Sequence, residues 1–308
     1  MSLTSPKLPA HAQHPINWGS LSASSDALTI ANAAQNSQQL LVVVCGDTQT
    51  AMRLEREIPF FLTTKLAVTY FPDWEVLPYD SFSPLPEIIS ERLQTLYALQ
   101  HLKQGVLIIT VSTLLQRLAP RQVVLAECFS LSTTETLDIG KTRSDLEKLG
   151  YLNVSTVQTH GEFSVRGSIL DLYPMGSKKP YRIDLLDTEV ESIRTFDTDT
   201  QRSLEKVDAI ELFPTREFPV NTESIQLFRR NFREQFPNTP TTNSLYQLIT
   251  HGSIPDGIEN YMPLFVENTE SFLDYLSDST LILHGDINTA GDLFLQQVIE
   301  RYAQRKGD

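Results

Sequence analysis

Three groupings of residues in this 308-residue chain have types and spacings that could do chemistry. The first is Gly140-Lys141-Thr142. A nucleoside triphosphate site needs a glycine-rich turn at a helix N-terminus, so that backbone N–H groups cradle the phosphates. It also needs a lysine for charge and a Ser/Thr for magnesium. Here the leading glycine would have to stand at Glu135, and Glu135 and Asp138 would face the phosphates with the wrong sign of charge. The triplet reads instead as a turn with Thr142 as a helix N-cap. The second grouping is the carboxylates Asp184, Asp187, Glu189 and Glu191 around one predicted hairpin, a supply of general acids and bases. No His, Cys or Ser stands with them as a nucleophile, so Asp184, Arg182, Glu189 and Arg194 read as solvated cross-strand pairs and no catalytic residue is assigned. The third is Cys45, Cys128, His11 and His14, whose spacing suits neither a zinc site nor a disulfide framework. Cys45 ends an apolar strand and reads as a buried structural thiol, and no metal ligand is assigned. Arginine remains as an interface anchor, which makes Arg166, Arg182 and Arg194 candidates for binding a partner.

The elements that must position these residues change character along the chain. A helix is predicted from Ser24 or Ser25 through Ala34, followed by a buried strand at Leu40 to Cys45 and a helix from Gln49 to Phe61. A strand at Leu66 to Phe71, a helix at Ile88 to Leu102 and a strand at Val106 to Val111 complete a doubly wound α/β layer. From about residue 123 the runs become short and rich in Thr and Val. One helix is predicted at Thr142 to Leu149. Successive antiparallel strands follow at Ser168 to Leu172, Tyr181 to Leu186 and Glu189 to Phe196, with Asp187-Thr188 at a turn. Helices at Thr222 to Phe236 and Ser244 to His251 precede a last strand at Thr280 to Leu283 and a last helix at Thr289 to Gln304.

The expected organisation is a flexible leader at 1–17 and an α/β domain at 18–122 completed by 278–308. A small α+β domain is inserted at 123–213, and a mainly helical subdomain at 214–277. Lys plus Arg number 25 against 38 Asp plus Glu, and a net charge of -13 opposes general capture of a polyanion, so no direct DNA binding is expected. Apolar stretches such as Leu40 to Cys45 are far shorter than the ~20 residues of a bilayer helix. A cytoplasmic location is the default expectation, with no membrane partner.

Two segments carry a resemblance: Phe163 to Pro174, which reads FSVRGSILDLYP, and Tyr181 to Asp197, which reads YRIDLLDTEVESIRTFD. They resemble domain 2 of the excision-repair protein UvrB, and more closely the matching N-terminal module of bacterial transcription-repair coupling factors. The Pro-rich tryptophan loop Trp74 to Pro84 and the run Ile88 to Leu93 point the same way. The resemblance spans roughly residues 18 to 300. It implies a degenerate helicase-like fold. Aligned on Thr29 to Asn32, the UvrB phosphate loop would end at Ser25, Asp26 and Ala27, none of which matches, and no lysine occurs between Lys7 and Lys65. The magnesium-organising acidic pair falls on Gly285 and Asp286. Between Phe71 and Ile88 there is no room for the UvrB aromatic hairpin.

The resemblance therefore implies a chain with no cofactor of its own, ATP and magnesium being expected only in an absent C-terminal translocase part. The rival expectation is a UvrB-like ATP-binding enzyme. The implied partner is UvrA in transcription-coupled nucleotide excision repair, docked through Arg166, Arg182 and Arg194 with Leu186 beside them. Leu186 stands where the family often has an aromatic, and Gly167 and Asp171 are implied to be structural. A further implied partner is a distant C-terminal domain of the longer protein, packed intramolecularly on the same domain. RNA polymerase is expected to be reached only through absent domains, and Asp308 is expected to be an internal boundary rather than a natural end.

Overall fold

The computed structural model describes residues 5–9, 14–19, 21, 23–240, 242 and 244–305. His11, half of the possible metal pair, and much of the expected leader lie outside the described residues. In chain order the first elements are α1 (Ser25–Asn36), β1 (Leu40–Cys45), α2 (Thr48–Phe61), β2 (Val68–Phe71) and α3 (Pro86–Ala98). Then come β3 (Gly105–Thr110), α4 (Val111–Leu115), β4 (Arg117–Leu118), α5 (Arg121–Ala126), β5 (Phe129–Ser132) and α6 (Ile139–Lys148). A run of short strands follows: β6 (Leu152–Asn153), β7 (Glu162–Arg166), β8 (Ile169–Tyr173), β9 (Tyr181–Leu186) and β10 (Glu189–Phe196). The chain closes with β11 (Ser203–Val207), β12 (Ala209–Leu212), α7 (Thr222–Gln235), α8 (Ser244–Thr250), β13 (Glu270–Ser271), β14 (Ser279–His284) and α9 (Ile287–Arg305).

These elements group into two compact units, one formed by Met1–Asp73, Ala98–Arg117 and Ser271–Asp308, the other by Trp74–Tyr97 and Leu118–Glu270. The first holds a four-stranded parallel sheet in the order β14-β1-β3-β2. All six residues of β1 are buried, because β1 lies between two strands and both of its faces are covered. On one face Leu41, Val43 and Cys45, with Val106 and Ile108 of β3, pack against Ala27, Ile30, Ala31 and Ala34 of α1 and Ala51, Leu54 and Ile58 of α2. The small residues of α1 recur at three- and four-residue spacing, which lets that helix lie close to the sheet. The start of α2 is held by Asp47, whose carboxylate accepts the Thr50 backbone N–H at 2.7 Å. Only glycine suits position 105: its φ is +136° and a Cβ there would stand 2.6 Å from the Ala67 carbonyl oxygen.

The second unit is built on a six-stranded sheet in the order β11-β10-β9-β8-β7-β6, in which only β6 and β7 run parallel. Its core face carries Phe163, Leu170, Leu172, Ile183, Leu185 and Ile193, all buried. At the predicted β9–β10 turn Asp187 takes φ 59°, a left-handed conformation that Asp tolerates. Predicted boundaries move: the helix expected at Ile88 to Leu102 runs Pro86–Ala98, and the cap of α6 changes. Helix α6 is capped by Asp138, whose carboxylate accepts the Lys141 N–H at 2.8 Å, so Thr142 is not the N-cap. Gly140-Lys141-Thr142 lies inside the first turn and a half of a helix that an acidic side chain already closes, a poor seat for a phosphate.

The tryptophan loop and the run Ile88 to Leu93 meet inside this unit. Glu217 accepts Trp74 Nε1–H at 2.8 Å and Arg92 Nε–H at 2.5 Å, and the Arg92 guanidinium sits over the Trp74 ring, 5.1 Å from its centroid. Arg92 is completely buried. The chain is thus α/β, with a parallel sheet flanked by helices and a separate mixed sheet.

Candidate docking face on the mixed sheet

Strand register gathers the predicted partner-binding residues. Asp171 of β8 lies opposite Arg182 of β9, which lies opposite Arg194 of β10, which lies opposite Lys206 of β11. Two residues along, Arg166 faces Ile169, and Ile169 faces Asp184. Directly paired residues share a face and alternate residues return to it, so Arg166, Arg182, Leu186 and Arg194 all stand on the face opposite the core.

The centre of that face is the Asp171 carboxylate, only 1% exposed. It accepts Arg182 Nε–H at 2.7 Å and Nη2–H at 2.9 Å, a two-pronged pair, and it also accepts from Arg166 Nη2. Arg182 is 16% exposed and further held by the Gln201 carbonyl at 3.1 Å, by Ser203 Oγ at 3.3 Å and by the Phe196 ring, 5.1 Å from its centroid. The Asp171 hydrogen bonds raise the Arg182 pKa above its ordinary value. Arg166 is 49% exposed. Arg194 is half-buried, and its Nε atom is shielded from solvent without a hydrogen-bond partner. Leu186, at the end of β9, is 66% exposed.

This arrangement corrects the cross-strand pairing expected from the sequence. Arg182 does not pair with Asp184 or Glu189; it reaches across to β8, because register sets Asp171 directly opposite it. Asp184 accepts Ser192 Oγ–H at 2.9 Å instead, and Arg194 faces two cations, Arg182 and Lys206. Asp171 is structural and also sets the aim of both arginines. Lys206, exposed at the edge of the row, was not singled out from the sequence, where SLEKV shows no alternation to mark it.

The positions expected to be remnants of a nucleotide site come together in the first unit. Asp26 lies in the first turn of α1, and its carboxylate accepts Arg53 Nη2–H at 2.6 Å, Nη1–H at 3.2 Å, the His284 Nε2–H at 2.8 Å and the Ala27 N–H at 2.6 Å. Burial alone would push this carboxyl up, but the Arg53, His284 and Ala27 donors outweigh it and hold Asp26 below the usual carboxylate range. Arg53 also pairs with Glu57 at 2.9 Å. Ser25 and Ala27 flank Asp26 in the same turn, Gly285 takes φ +81°, and Asp286 accepts the Thr289 N–H at 3.2 Å and Oγ1–H at 2.7 Å at the start of α9. Burial pushes the Cys45 and Cys128 thiols up to about 12, which leaves both unreactive near neutrality. Among the described residues no group of three or more His, Cys, Asp and Glu could hold a metal ion, and no helix is long and apolar enough to cross a membrane.

Comparison with known proteins bears on the same strands. The UvrB interaction domain family matches residues 129–218, which include the whole six-stranded sheet. The chain is 42% identical over 305 residues to a transcription-repair-coupling factor of Haemophilus influenzae, covering 98% of this chain and 26% of that protein. Against the transcription-repair-coupling factor of Escherichia coli it is 39% identical over 303 residues, again 98% and 26%. A Staphylococcus aureus transcription-repair-coupling factor is 30% identical over 219 residues, 71% of this chain and 19% of that protein. A two-unit α/β chain whose mixed sheet is a UvrB interaction domain is a UvrB-homologous module. The chain is similar over 98% of its length to transcription-repair-coupling factors, and it spans about a quarter of the length of the H. influenzae and E. coli relatives.

Proposed function

We propose that this chain is a non-catalytic docking module that recruits UvrA during transcription-coupled nucleotide excision repair. The observation that carries this reading is the coincidence of the UvrB interaction domain with a sheet face bearing two arginines on one buried carboxylate beside an exposed leucine. Arg166, Leu186 and Arg194 supply the contacts, and Arg182 acts from a more buried position. An intramolecular partner, a distant domain of the longer protein, would cover the same face until repair begins. Polymerase contact and ATP-driven DNA translocation belong to lengths of the relatives that this chain does not span. A cytoplasmic setting accords with this role.

The Asp26 cluster supports the absence of a nucleotide site, because a carboxylate held by Arg53 and His284 repels phosphate at the first turn of α1. Isothermal titration of the chain with UvrA tests the reading. Arg166→Ala and Arg194→Ala should each weaken binding by about 2 kcal/mol, the hot-spot scale, with the fold retained. Full affinity in both variants would move the contact off this face.

A further inference from the structure

The last two turns of α7 carry a second basic feature, away from the sheet face. The inner side of this helix buries Phe228 and Phe232, which pack on the Tyr246 ring of α8 at centroid distances of 6.3 and 5.3 Å and so fix the phenol. Onto that one oxygen converge Arg229 Nε–H at 3.4 Å and Arg233 Nε–H at 3.2 Å. The same donors, Arg229 foremost, hold the Tyr246 pKa below its ordinary value. Among the described residues neither arginine pairs with a carboxylate, although the chain has 38 acidic residues against 25 basic. Arg230 stands between them and pairs with Glu267 at 2.9 Å, both side chains more than half exposed. The three line an open groove of about 460 Å³ together with Gln226 and Glu234.

Two like charges four residues apart on a helix repel one another. Attraction to the negative C-terminal end of the helix offsets this, but it does not require the two guanidinium groups to converge on a neutral oxygen. Spending one Nε–H of each on the phenol leaves the planar Nη forks of two exposed side chains free of it, and such forks match phosphate oxygens two at a time. We propose that Arg229 and Arg233, positioned by Tyr246, form a binding site for linked phosphates, the chemistry shared by a nucleic-acid backbone and a free polyphosphate chain. The whole-chain charge of -13 opposes general capture, so the site is weak and strongly salt-sensitive.

The test titrates the intact chain at low salt with a fluorescent DNA duplex and, separately, with inorganic tripolyphosphate. Wild type should bind at least one of them. Arg229→Gln/Arg233→Gln should abolish most of that binding and, for DNA, lower the slope of log K against log salt by roughly 2, one contact per arginine. Tyr246→Phe keeps the charge and frees the guanidinium groups, so it should weaken binding several-fold while the fold, checked by circular dichroism, persists. Arg143→Gln/Lys148→Gln removes the same charge from α6 and should leave binding nearly unchanged. Binding of DNA alone assigns the site to a nucleic-acid backbone, and binding of tripolyphosphate to phosphate chains in general. No binding of either, or equal loss in the α6 control, overturns the proposal.

Discussion

Asp171 shows how one carboxylate can decide what a protein face presents. At 1% exposure it satisfies two guanidinium groups of unequal burial, Arg182 at 16% and Arg166 at 49%. Removing it strands Arg182 inside the sheet layer, so Asp171→Ala should lower stability by about 3–5 kcal/mol, read as a shift of the urea midpoint at constant m-value. Arg166→Ala removes the exposed partner and should cost less than about 1 kcal/mol. Equal costs would mean that Asp171 does not hold the face together. Asp26 makes a pH-dependent contribution. Its folded carboxyl titrates below the 3.8 of an unperturbed group, so its stabilisation is complete above that value and is lost as pH falls through the lower folded value. Asp26→Asn should therefore flatten the acid limb of the stability curve. An unaltered limb would place the acid sensitivity on other carboxylates.

At the scale of elements, the tryptophan loop and α3 are fastened through Glu217 to the segment between β12 and α7. Arg92 is wholly buried, and Glu217 takes hydrogen bonds from both it and Trp74. Glu217→Ala should cost about 3–5 kcal/mol, because it removes the carboxylate that takes two hydrogen bonds from a buried guanidinium. It should also shift the emission of Trp74, one of only two tryptophans. A stable variant with unshifted emission would show that packing alone holds the loop. Elements were legible where burial pattern and local capping agree. The unbroken apolar run of β1 announced a strand covered on both faces, and Asp187-Thr188 announced a turn. The start of α6 was misplaced because Asp138 and Thr142 are both residue types that cap helices, and only geometry selects Asp138. The short strands β7, β11 and β12 went unread, since runs of four or five residues with partial burial carry little periodic signal.

For the molecule as a whole, the proposed role as a docking module without a nucleotide site predicts that titration with magnesium ATP at millimolar concentration should yield no heat. Measurable uptake would restore the ATP-binding alternative. By itself the sequence determined the α/β class and the buried parallel strand, because these follow from residue type and local period. Only the tertiary structure decided which charges meet. Arg182 found Asp171 rather than nearby Asp184 because antiparallel register sets pairs across strands. Asp26 met His284, 258 residues away, because parallel strands bring distant ends of a chain to one edge of the sheet. Residue types are local properties, and pairings between strands depend on register, which the whole fold settles.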